Sequence, residues 1–429
     1  MNKPSLVVSC PIDTYSGYGA RSRDFVKGLL KLGKYNVNII SQRWGNTKFG
    51  YLAEHGEDEL SSLIIPGLQS QPDVWIQITV PNEFQKVGKY NIGVTAGIET
   101  TFCHGSWIEG CNRMDLILTS SEHSKKTFLE SKVDAIDPRT NQKVKELKLE
   151  TPIEVLFEGV DLTKYFQTST TNKGSIVDTL NSIKEDFCYL NVGHWMQGDY
   201  GHDRKNIGYT VKTFLETFKT KQKPPALILK CSQATTSLMD RNRILKKIDK
   251  IKESVKGGRN VNIYLLHGEL SDEEMNLLYN HPKVKVMVSH TKGEGYGRPL
   301  AEFATTGKPI IASGWSGQVD FLDKDESILL GGTINKVHKS SVLKDMIIED
   351  AAWFTPSDAD VSRAFQTTFK HYKKVIPGAK KQRRRILDNF SYEDMVNVLG
   401  EYLDKYIPEF PSQIELTLPQ LDLPKLEKI

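Results

Sequence analysis

The feature that most constrains the fold of this chain is a regular alternation of short apolar, β-rich runs with amphipathic segments of helical period. Residues 5–9 predict a strand, residues 16–19 form a glycine-containing loop, and residues 21–32 then carry apolar side chains at helical spacing. The same pattern continues through strands predicted over 35–41, 73–79, 90–95, 116–119 and 154–157. Strands that alternate with helices form a parallel sheet whose two faces are both covered.

A polar stretch over 161–186 interrupts this pattern, with a run of Gln, Thr, Ser, Asn, Lys and Gly over 167–174 at its centre. Such a composition buries little surface and favours a loop. Beyond it the alternation restarts, with strands predicted over 187–192, 226–230, 261–266, 284–288 and 309–312 and helices over 207–218 and 273–279. The sequence therefore predicts a second parallel sheet.

The length of the chain, 429 residues, also exceeds what one hydrophobic core usually supports. We predict an α/β protein of two doubly wound domains. The first domain is predicted over 1–165, a linker over 166–186 and the second domain over 187–400. The remaining residues, 401–429, form a tail that could pack back on the first domain.

The overall charge of the chain excludes some classes of partner. The 57 basic and 53 acidic side chains leave a formal charge of +4, too small to indicate a dedicated nucleic-acid or membrane-surface protein. The five cysteines include no C-x-x-C pair, so neither a disulfide framework nor a zinc site is predicted. No apolar run reaches the roughly 18 residues of a membrane span, and the first residues resemble a strand rather than a signal region. We expect a cytoplasmic protein without a transmembrane segment.

The segment over 293–302 is the most informative part of the sequence, because it places two carboxylates eight positions apart. Glu294 stands in a glycine-rich loop, where backbone N–H groups can approach a ligand closely. Glu302 lies one turn inside a helix that Pro299 can begin and Gly307 can end. Because the positive end of that helix faces the same crevice, the two carboxylates can hold hydroxyl groups at two ends of one ligand.

Residues 294–313 resemble the signature of the retaining GT-B glycosyltransferases of sequence family four, in which a Gly-aromatic-Gly-x-Pro frame joins two glutamates and a Gly-x-Pro and a strand follow. The resemblance implies two Rossmann-like domains that face each other across a cleft, the first on the acceptor side and the second binding the nucleotide sugar. It also implies that Glu294 lies beside the donor sugar and that Glu302 binds the ribose hydroxyls. The other donor-binding residues that it implies are Gly295, Tyr296, Gly297, Arg298, Pro299 and Leu300. Arg298 departs from the commoner aliphatic residue and could add a phosphate contact.

A second part of the resemblance is the run Asn191-Val192-Gly193 followed by Arg204 and Lys205. It is similar to the strand, glycine and Arg-Lys pair with which the family grips the donor diphosphate. Such cations are needed because negative charge grows on the diphosphate as the glycosidic bond breaks. We therefore place Lys205 and Arg204 beside Glu294 among the catalytic candidates.

Two further residues are expected near the phosphates. His194 stands where family members often carry an arginine, and a longer loop follows it over 195–203. Either Arg204 takes over the missing contact, or phosphate binding is weaker than is usual in the family. Lys230, at the end of a predicted strand, joins Gly193 and His194 among the donor-binding candidates.

The first domain contributes weaker candidates. The loop Gly17-Tyr18-Gly19 is expected to approach the donor from the opposite side of the cleft, although a tight turn alone would also explain its glycines. Glu99 and His104 lie in the region where related enzymes place a residue near the acceptor. Both are carried as catalytic candidates, with a packed or exposed histidine as the plainer interpretation of His104.

The activity that the resemblance implies is transfer of a hexose or pentose from a nucleotide diphosphate-sugar to an acceptor, with retention of the anomeric configuration. Retention without a clear nucleophile fits front-face attack, in which a donor phosphate oxygen helps to take the acceptor proton. The resemblance implies no cofactor besides the nucleotide-sugar substrate and no bound metal. The acceptor is left open between a saccharide, a lipid-linked sugar, a protein and modified DNA.

Two alternative functions remain at this stage. One is a DNA-modifying glycosyltransferase that acts on a hydroxymethylated base, which the basic run over 373–385 would suit, although that run is also typical of a charged helix face. The other is a catalytically silent sugar-binding or scaffold relative. The joint presence of Glu294, Lys205 and Glu302 argues against the second, since a binding module has little need of diphosphate and sugar contacts together.

Overall fold

The computed structural model describes residues 3–136, 139–140, 142–169, 174–233 and 235–410. The strands of its first half are β1 Ser5–Cys10, β2 Asn36–Ser41, β3 Val74–Ile78, β4 Tyr90–Thr95, β5 Leu116–Thr119, β6 Val133–Ile136, β7 Lys143–Leu147 and β8 Ile153–Val155. The helices of that half are α1 Gly17–Leu32, α2 Tyr51–Glu54, α3 Asp58–Ser62, α4 Gly105–Cys111 and α5 Glu122–Glu130.

The second half repeats this organisation. Its strands are β9 Cys188–His194, β10 Ala226–Ser232, β11 Ile263–Leu266, β12 Val284–Ser289, β13 Ile310–Ser313, β14 Ile328–Leu330, β15 Gly332–Lys336 and β16 Ala352–Pro356. Its helices are α6 Ser175–Asn181, α7 Ile207–Phe218, α8 Leu238–Ser254, α9 Asp272–Asn280, α10 Arg298–Ala304, α11 Asp358–Lys370, α12 Tyr372–Asn389 and α13 Tyr392–Tyr406.

Each half contains a sheet whose described strands are all parallel. The first sheet has the order β2-β1-β3-β4-β5-β8, and the second has the order β11-β10-β9-β12-β13-β14. In each sheet the direction of chain winding reverses once, between β1 and β3 and between β9 and β12. Loops at such a reversal leave a crevice at the carboxyl ends of the strands, where α/β proteins bind ligands. The prediction of two Rossmann-like domains is confirmed.

The buried strands explain why the sequence alternates so clearly. Along β1, the side chains from Leu6 to Cys10 are buried on both faces, because helices cover both sides of the sheet. Helix α1 starts at a defined point, since the Ser16 side chain caps it by accepting a hydrogen bond from the Gly19 amide at 2.9 Å. It stops at Gly33, which takes the left-handed conformation with φ 66°.

The last helix of the described chain lies on the first domain. Met395, Val396, Leu399 and Leu403 of α13 are buried in one core cluster with side chains of β1, β3 and α1. The chain therefore crosses from the second domain back to the first before it ends. The domain boundaries at 165, 187 and 400 stay predictions, and residues 411–429 of the expected tail lie outside the described residues.

The sequence patterns located the parallel strands to within a few residues, except the edge strand β14. They also missed two antiparallel pairs, β6 with β7 and β15 with β16. The loop predicted over 161–186 was partly wrong, because α6 forms there and buries Ile176, Val177 and Leu180 in the core of the second domain. The basic run forms part of α12, as the charged-face interpretation expects. All five cysteines are buried free thiols. Across the described ranges, no helix is both long and apolar enough to cross a bilayer. The cytoplasmic location stays a prediction.

The two glycines at the start of α1 should differ in their tolerance of a side chain. A Cβ at Gly19 would lie 2.2 Å from the Thr14 carbonyl oxygen, whereas a Cβ at Gly17 would meet no atom within 4 Å. We expect Gly19→Ala to lower the free energy of unfolding by about 1–3 kcal/mol, the usual cost of overpacking, while Gly17→Ala leaves it nearly unchanged. Urea unfolding of both variants measures this, and equal midpoints would contradict it.

Candidate active site in the interdomain cleft

The winding reversal of the second sheet brings two loops together. The loop after β9 ends in Arg204 and Lys205, and the loop after β12 carries the glycine-rich segment. The two loops are hydrogen-bonded through their backbones, since the Lys292 amide donates to the Arg204 carbonyl at 2.7 Å. Asn206, which takes the left-handed conformation with φ 54°, then turns the chain into α7. The fold therefore places both predicted motifs at one point of the cleft.

Glu294 forms the centre of a charged cluster at this point. Its Oε1 and Oε2 accept hydrogen bonds from the Lys205 Nζ at 2.6 and 2.7 Å, and its Oε2 lies 3.2 Å from an Arg204 guanidinium nitrogen. That same nitrogen lies 3.4 Å from the Glu99 carboxylate of the first domain. The Ser316 hydroxyl fixes the backbone by accepting from the Glu294 amide at 2.9 Å. Two cations and two carboxylates from both domains thus form one network.

Burial and charge act against each other in this cluster. Burial alone would raise the pKa of Glu294, but Lys205 and Arg204 outweigh it and hold that pKa below the usual value. Burial lowers the pKa of Lys205, although Glu294 opposes this shift. The side chains of Glu294, Lys205 and Arg204 are 9%, 17% and 13% exposed. An anion that enters here meets cations already positioned and largely removed from water, which strengthens its electrostatic interaction with them.

The glycines of the loop allow the two domains to touch. A Cβ at Gly293 would lie 1.9 Å from the Glu99 carbonyl oxygen, and one at Gly295 would lie 2.1 Å from the Ala96 carbonyl oxygen. Gly297 takes a left-handed conformation, φ 106°, directly before α10. A larger residue at the first two positions would force the first domain away from the second.

The second carboxylate, Glu302, lies on α10. Its Oε1 accepts from the Arg298 Nε at 3.0 Å and its Oε2 from the Tyr279 hydroxyl at 3.2 Å. Arg298 also donates to the Asp24 carboxylate of the first domain at 2.6 Å. Arg298 therefore bridges the two domains and holds Glu302, and its phosphate contact stays a prediction.

Glu302 and Arg298 line a cavity of about 520 Å³ between the domains. The first domain contributes Gly17 and Asp24 to its wall, and the second domain adds residues around the start of α9. Burial raises the pKa of Glu302 to about 7, partly opposed by Arg298. The Glu302 carboxyl group thus forms part of the wall of an interdomain cavity.

The other residues of the glycine frame have structural partners. Tyr296 and Leu300 are buried, 2% and 3% exposed, in the core of the second domain. Pro299 lies in the first turn of α10, where its missing N–H costs no hydrogen bond. These side chains position the loop and the helix instead of lining the cavity.

The segment Gly17-Tyr18-Gly19, predicted as a loop, forms the first turn of α1 instead. Gly17 lines the interdomain cavity, whereas Gly19 lets this turn approach the Thr14 carbonyl closely. The Tyr18 hydroxyl bonds to Thr95 at 3.0 Å and accepts from the Ala96 amide at 3.1 Å. Tyr18 therefore fixes the end of β4, whose following residues contact the glycine loop of the second domain.

The remaining candidates are spread around the cluster. Gly193 lies beside the Lys205 side chain, since a Cβ at Gly193 would lie 3.7 Å from the Lys205 Cδ. His194 bonds to the Ser232 hydroxyl at 2.9 Å, and Lys230 donates to the Gly268 carbonyl at 2.7 Å. His104 caps α4, and its Nε2 lies 3.7 Å from an Asp345 carboxylate oxygen. Within the described residues, His104 thus contacts the second domain but forms no hydrogen bond or ion pair with Glu294, Arg204 or Lys205.

Asp24 is the functional candidate that sequence reasoning missed. It follows Gly17 by seven residues, two turns of helix, so the two residues share one face of α1. That spacing was the available signal, but nothing in the sequence shows that this face points into the cleft. Ser316 was missed as well, because its contact with Glu294 spans 22 residues.

The raised pKa of Glu302 predicts a pH dependence of stability. The pKa of Glu302 is about 7 in the folded chain and has the usual value of 4.5 in the unfolded chain. Between these pH values the folded chain keeps a proton on Glu302 that the unfolded chain has lost. Stability therefore falls as pH rises across this window. We expect Glu302→Gln to reduce the slope of the unfolding free energy against pH, measured by urea unfolding between pH 5 and 8. The exposed control Glu273→Gln should keep the slope of the unchanged chain. Equal slopes in all three chains would contradict the assignment.

Comparison with known proteins adds the fold family. No family model and no curated protein sequence matches the chain. Solved structures do match: a glycosyltransferase from Rickettsia africae has a TM-score of 0.61 at 13% identity, over 95% of this chain and 99% of that one. Sucrose-phosphate synthase from Thermosynechococcus elongatus has 0.60 at 12%, over 94% and 99%. Anabaena HepE in complex with UDP-glucose has 0.59 at 12%, over 94% and 100%.

These similarities cover nearly the whole of each chain and extend through both sheets, at identities that establish the fold alone. Together with the two parallel sheets and the cleft between them, they assign the chain to the GT-B fold, in which two Rossmann-like domains face each other across a cleft.

Proposed function

We propose that this protein is a retaining glycosyltransferase that moves a sugar from a nucleotide diphosphate-sugar to an acceptor. The observation that carries the proposal is the position of Arg204, Lys205 and Glu294 together at the winding reversal of the second domain. Structures of similar fold include glycosyltransferases, and one is described with UDP-glucose bound. These similarities support a UDP-sugar as the donor.

The cations suit the departure of a diphosphate. When the bond from the anomeric carbon to the diphosphate oxygen breaks, its electron pair stays with the diphosphate, and Lys205 and Arg204 neutralise the added charge. Both are already positioned by Glu294 and by backbone contacts, so little reorganisation accompanies the reaction. We infer that phosphate oxygens take over the contacts of Glu294 with these cations and that its carboxylate then accepts hydroxyls of the donor sugar.

Retention and metal independence belong to the same proposal. In front-face attack the acceptor hydroxyl approaches from the side that the diphosphate leaves, and a phosphate oxygen takes its proton. The two cations supply the neutralisation that a divalent metal gives in other transferases. The prediction that no metal is needed is tested by transfer in the presence of a chelator.

The donor proposal predicts a selective thermal shift. A ligand at 100 times its dissociation constant adds about 2.7 kcal/mol to stability, so UDP-glucose should raise the melting temperature measurably, and more than GDP- and ADP-sugars do. The variant Lys205→Ala should lose most of this shift. The proposal fails if none of these nucleotide sugars stabilises the chain.

Transfer itself should depend on the cluster. We expect Lys205→Ala and Glu294→Ala each to lower sugar transfer by at least about tenfold, roughly 1.4 kcal/mol of barrier. The matched control is Lys221→Ala, an exposed lysine of the same domain beyond the end of α7. Unchanged rates in the two cluster variants would remove these residues from the site.

The acceptor is addressed by a separate observation. The basic run on α12 leaves Lys373, Lys374, Lys380, Lys381 and Arg384 exposed, a surface that favours an anionic acceptor such as modified DNA as the second candidate. Binding through such a surface weakens steeply with salt. Transfer to a saccharide, a lipid-linked sugar or a protein would lack that dependence on this helix.

A further inference from the structure

A second cavity, of about 410 Å³, lies on the second domain between the loop over 195–203 and helices α7 and α8. This loop is longer than the corresponding loop of the glycosyltransferase family that the sequence resembles. It runs from the end of β9 to Arg204. The cavity is separate from the interdomain cavity, since the two share no lining residue.

Two aromatic rings form one wall of this cavity. Trp195 is 5% exposed and Tyr200 is 48% exposed. A Cβ at Gly208 would lie 3.3 Å from both rings, so the rings pack directly on the first turn of α7. Flat apolar rings beside polar groups suit the apolar face of a sugar or a base.

Lysine side chains surround this wall. The Lys247 Nζ lies 5.0 Å from the centroid of the Trp195 ring, and the Lys212 Nζ lies 5.5 Å from that of Tyr200. Lys250 also lines the cavity, and within the described chain it has no ion-pair partner. Lys212 also forms an ion pair with Glu216 on the same helix, 3.8 Å apart. The ammonium groups of Lys247 and Lys250 have no ion pair in the described part of the chain, so both can neutralise an anion that enters the cavity.

The wall is preformed. The Asp199 amide donates to the Ser340 hydroxyl at 2.8 Å, and the Ser341 hydroxyl donates to the His202 carbonyl at 2.6 Å. At the inner end, the buried Asp203 accepts from the Ile207 amide at 3.3 Å. The loop is thus held on both sides, and a ligand need not pay the conformational entropy of ordering it.

We propose that this cavity binds a phosphorylated sugar. The phosphate lies among Lys212, Lys247 and Lys250, the ring packs on Tyr200 and Trp195, and the carboxylates accept sugar hydroxyls. A free hexose phosphate and a nucleoside monophosphate share this chemistry. The proposal concerns binding alone and is independent of whether the cleft transfers a sugar.

Calorimetric titration of the whole chain with glucose 6-phosphate, uridine monophosphate, glucose and inorganic phosphate tests the proposal. We expect at least one of the first two to bind with a dissociation constant below about 1 mM, and glucose and phosphate alone to bind at least about tenfold more weakly. Tighter binding of glucose 6-phosphate identifies a hexose phosphate, and tighter binding of uridine monophosphate identifies a nucleotide. If neither binds more tightly than its separate parts, the proposal is wrong.

Variants locate the binding. Tyr200→Ala and Lys250→Ala change exposed side chains and should each weaken binding at least about tenfold. Lys246→Ala on the same helix, an exposed lysine outside the cavity, should retain it. Lys205→Ala removes any binding of uridine monophosphate in the cleft, and binding to the second cavity should persist in that variant. The proposal is overturned if Lys205→Ala abolishes binding while Tyr200→Ala and Lys250→Ala leave it intact, because the ligand then lies in the cleft.

Discussion

The contact on which the candidate site depends is the buried interaction of Glu294 with Lys205 and Arg204. Two cations this far removed from water need nearby carboxylates, because an unpaired buried charge costs several kcal/mol. Glu294 supplies that charge from the adjacent loop, and Glu99 supplies a second from the opposite domain. An anionic ligand can bind the same two cations, because its negative charge can take the place of one of these carboxylates.

The cleft is held by contacts of two kinds. At the glycine loop, backbone meets backbone, which only residues without a Cβ permit at Gly293 and Gly295. Beside the interdomain cavity, a charged hydrogen bond from Arg298 to Asp24 joins α10 to α1. Because Arg298 also holds Glu302, a ligand that contacts Glu302 acts on the residue that bridges the domains.

Much of the fold could be predicted because both sheets are covered on two faces, so that strands such as β1 and β10 contain short continuous apolar runs. The pairs β6–β7 and β15–β16 could not. One strand of each pair, β7 and β15, carries mostly exposed residues, and an exposed strand leaves no apolar period to detect. The predicted site residues Glu294, Arg204 and Lys205 lie in contact. The contact of Arg298 with Asp24 could not be predicted, because the two residues lie 274 positions apart along the chain.

The sequence by itself determined the alternation of strands and helices, the two-domain organisation and the local frame around Glu294 and Glu302, because these rest on interactions between residues close along the chain. Only the tertiary structure decided which charges meet. Arg204 reaches Glu294 across 90 residues and Glu99 across the cleft, and the aromatic cavity beside α7 exists only because a loop folds back over two helices. Contacts of this range depend on how sheets and helices pack together, which residue spacing does not record.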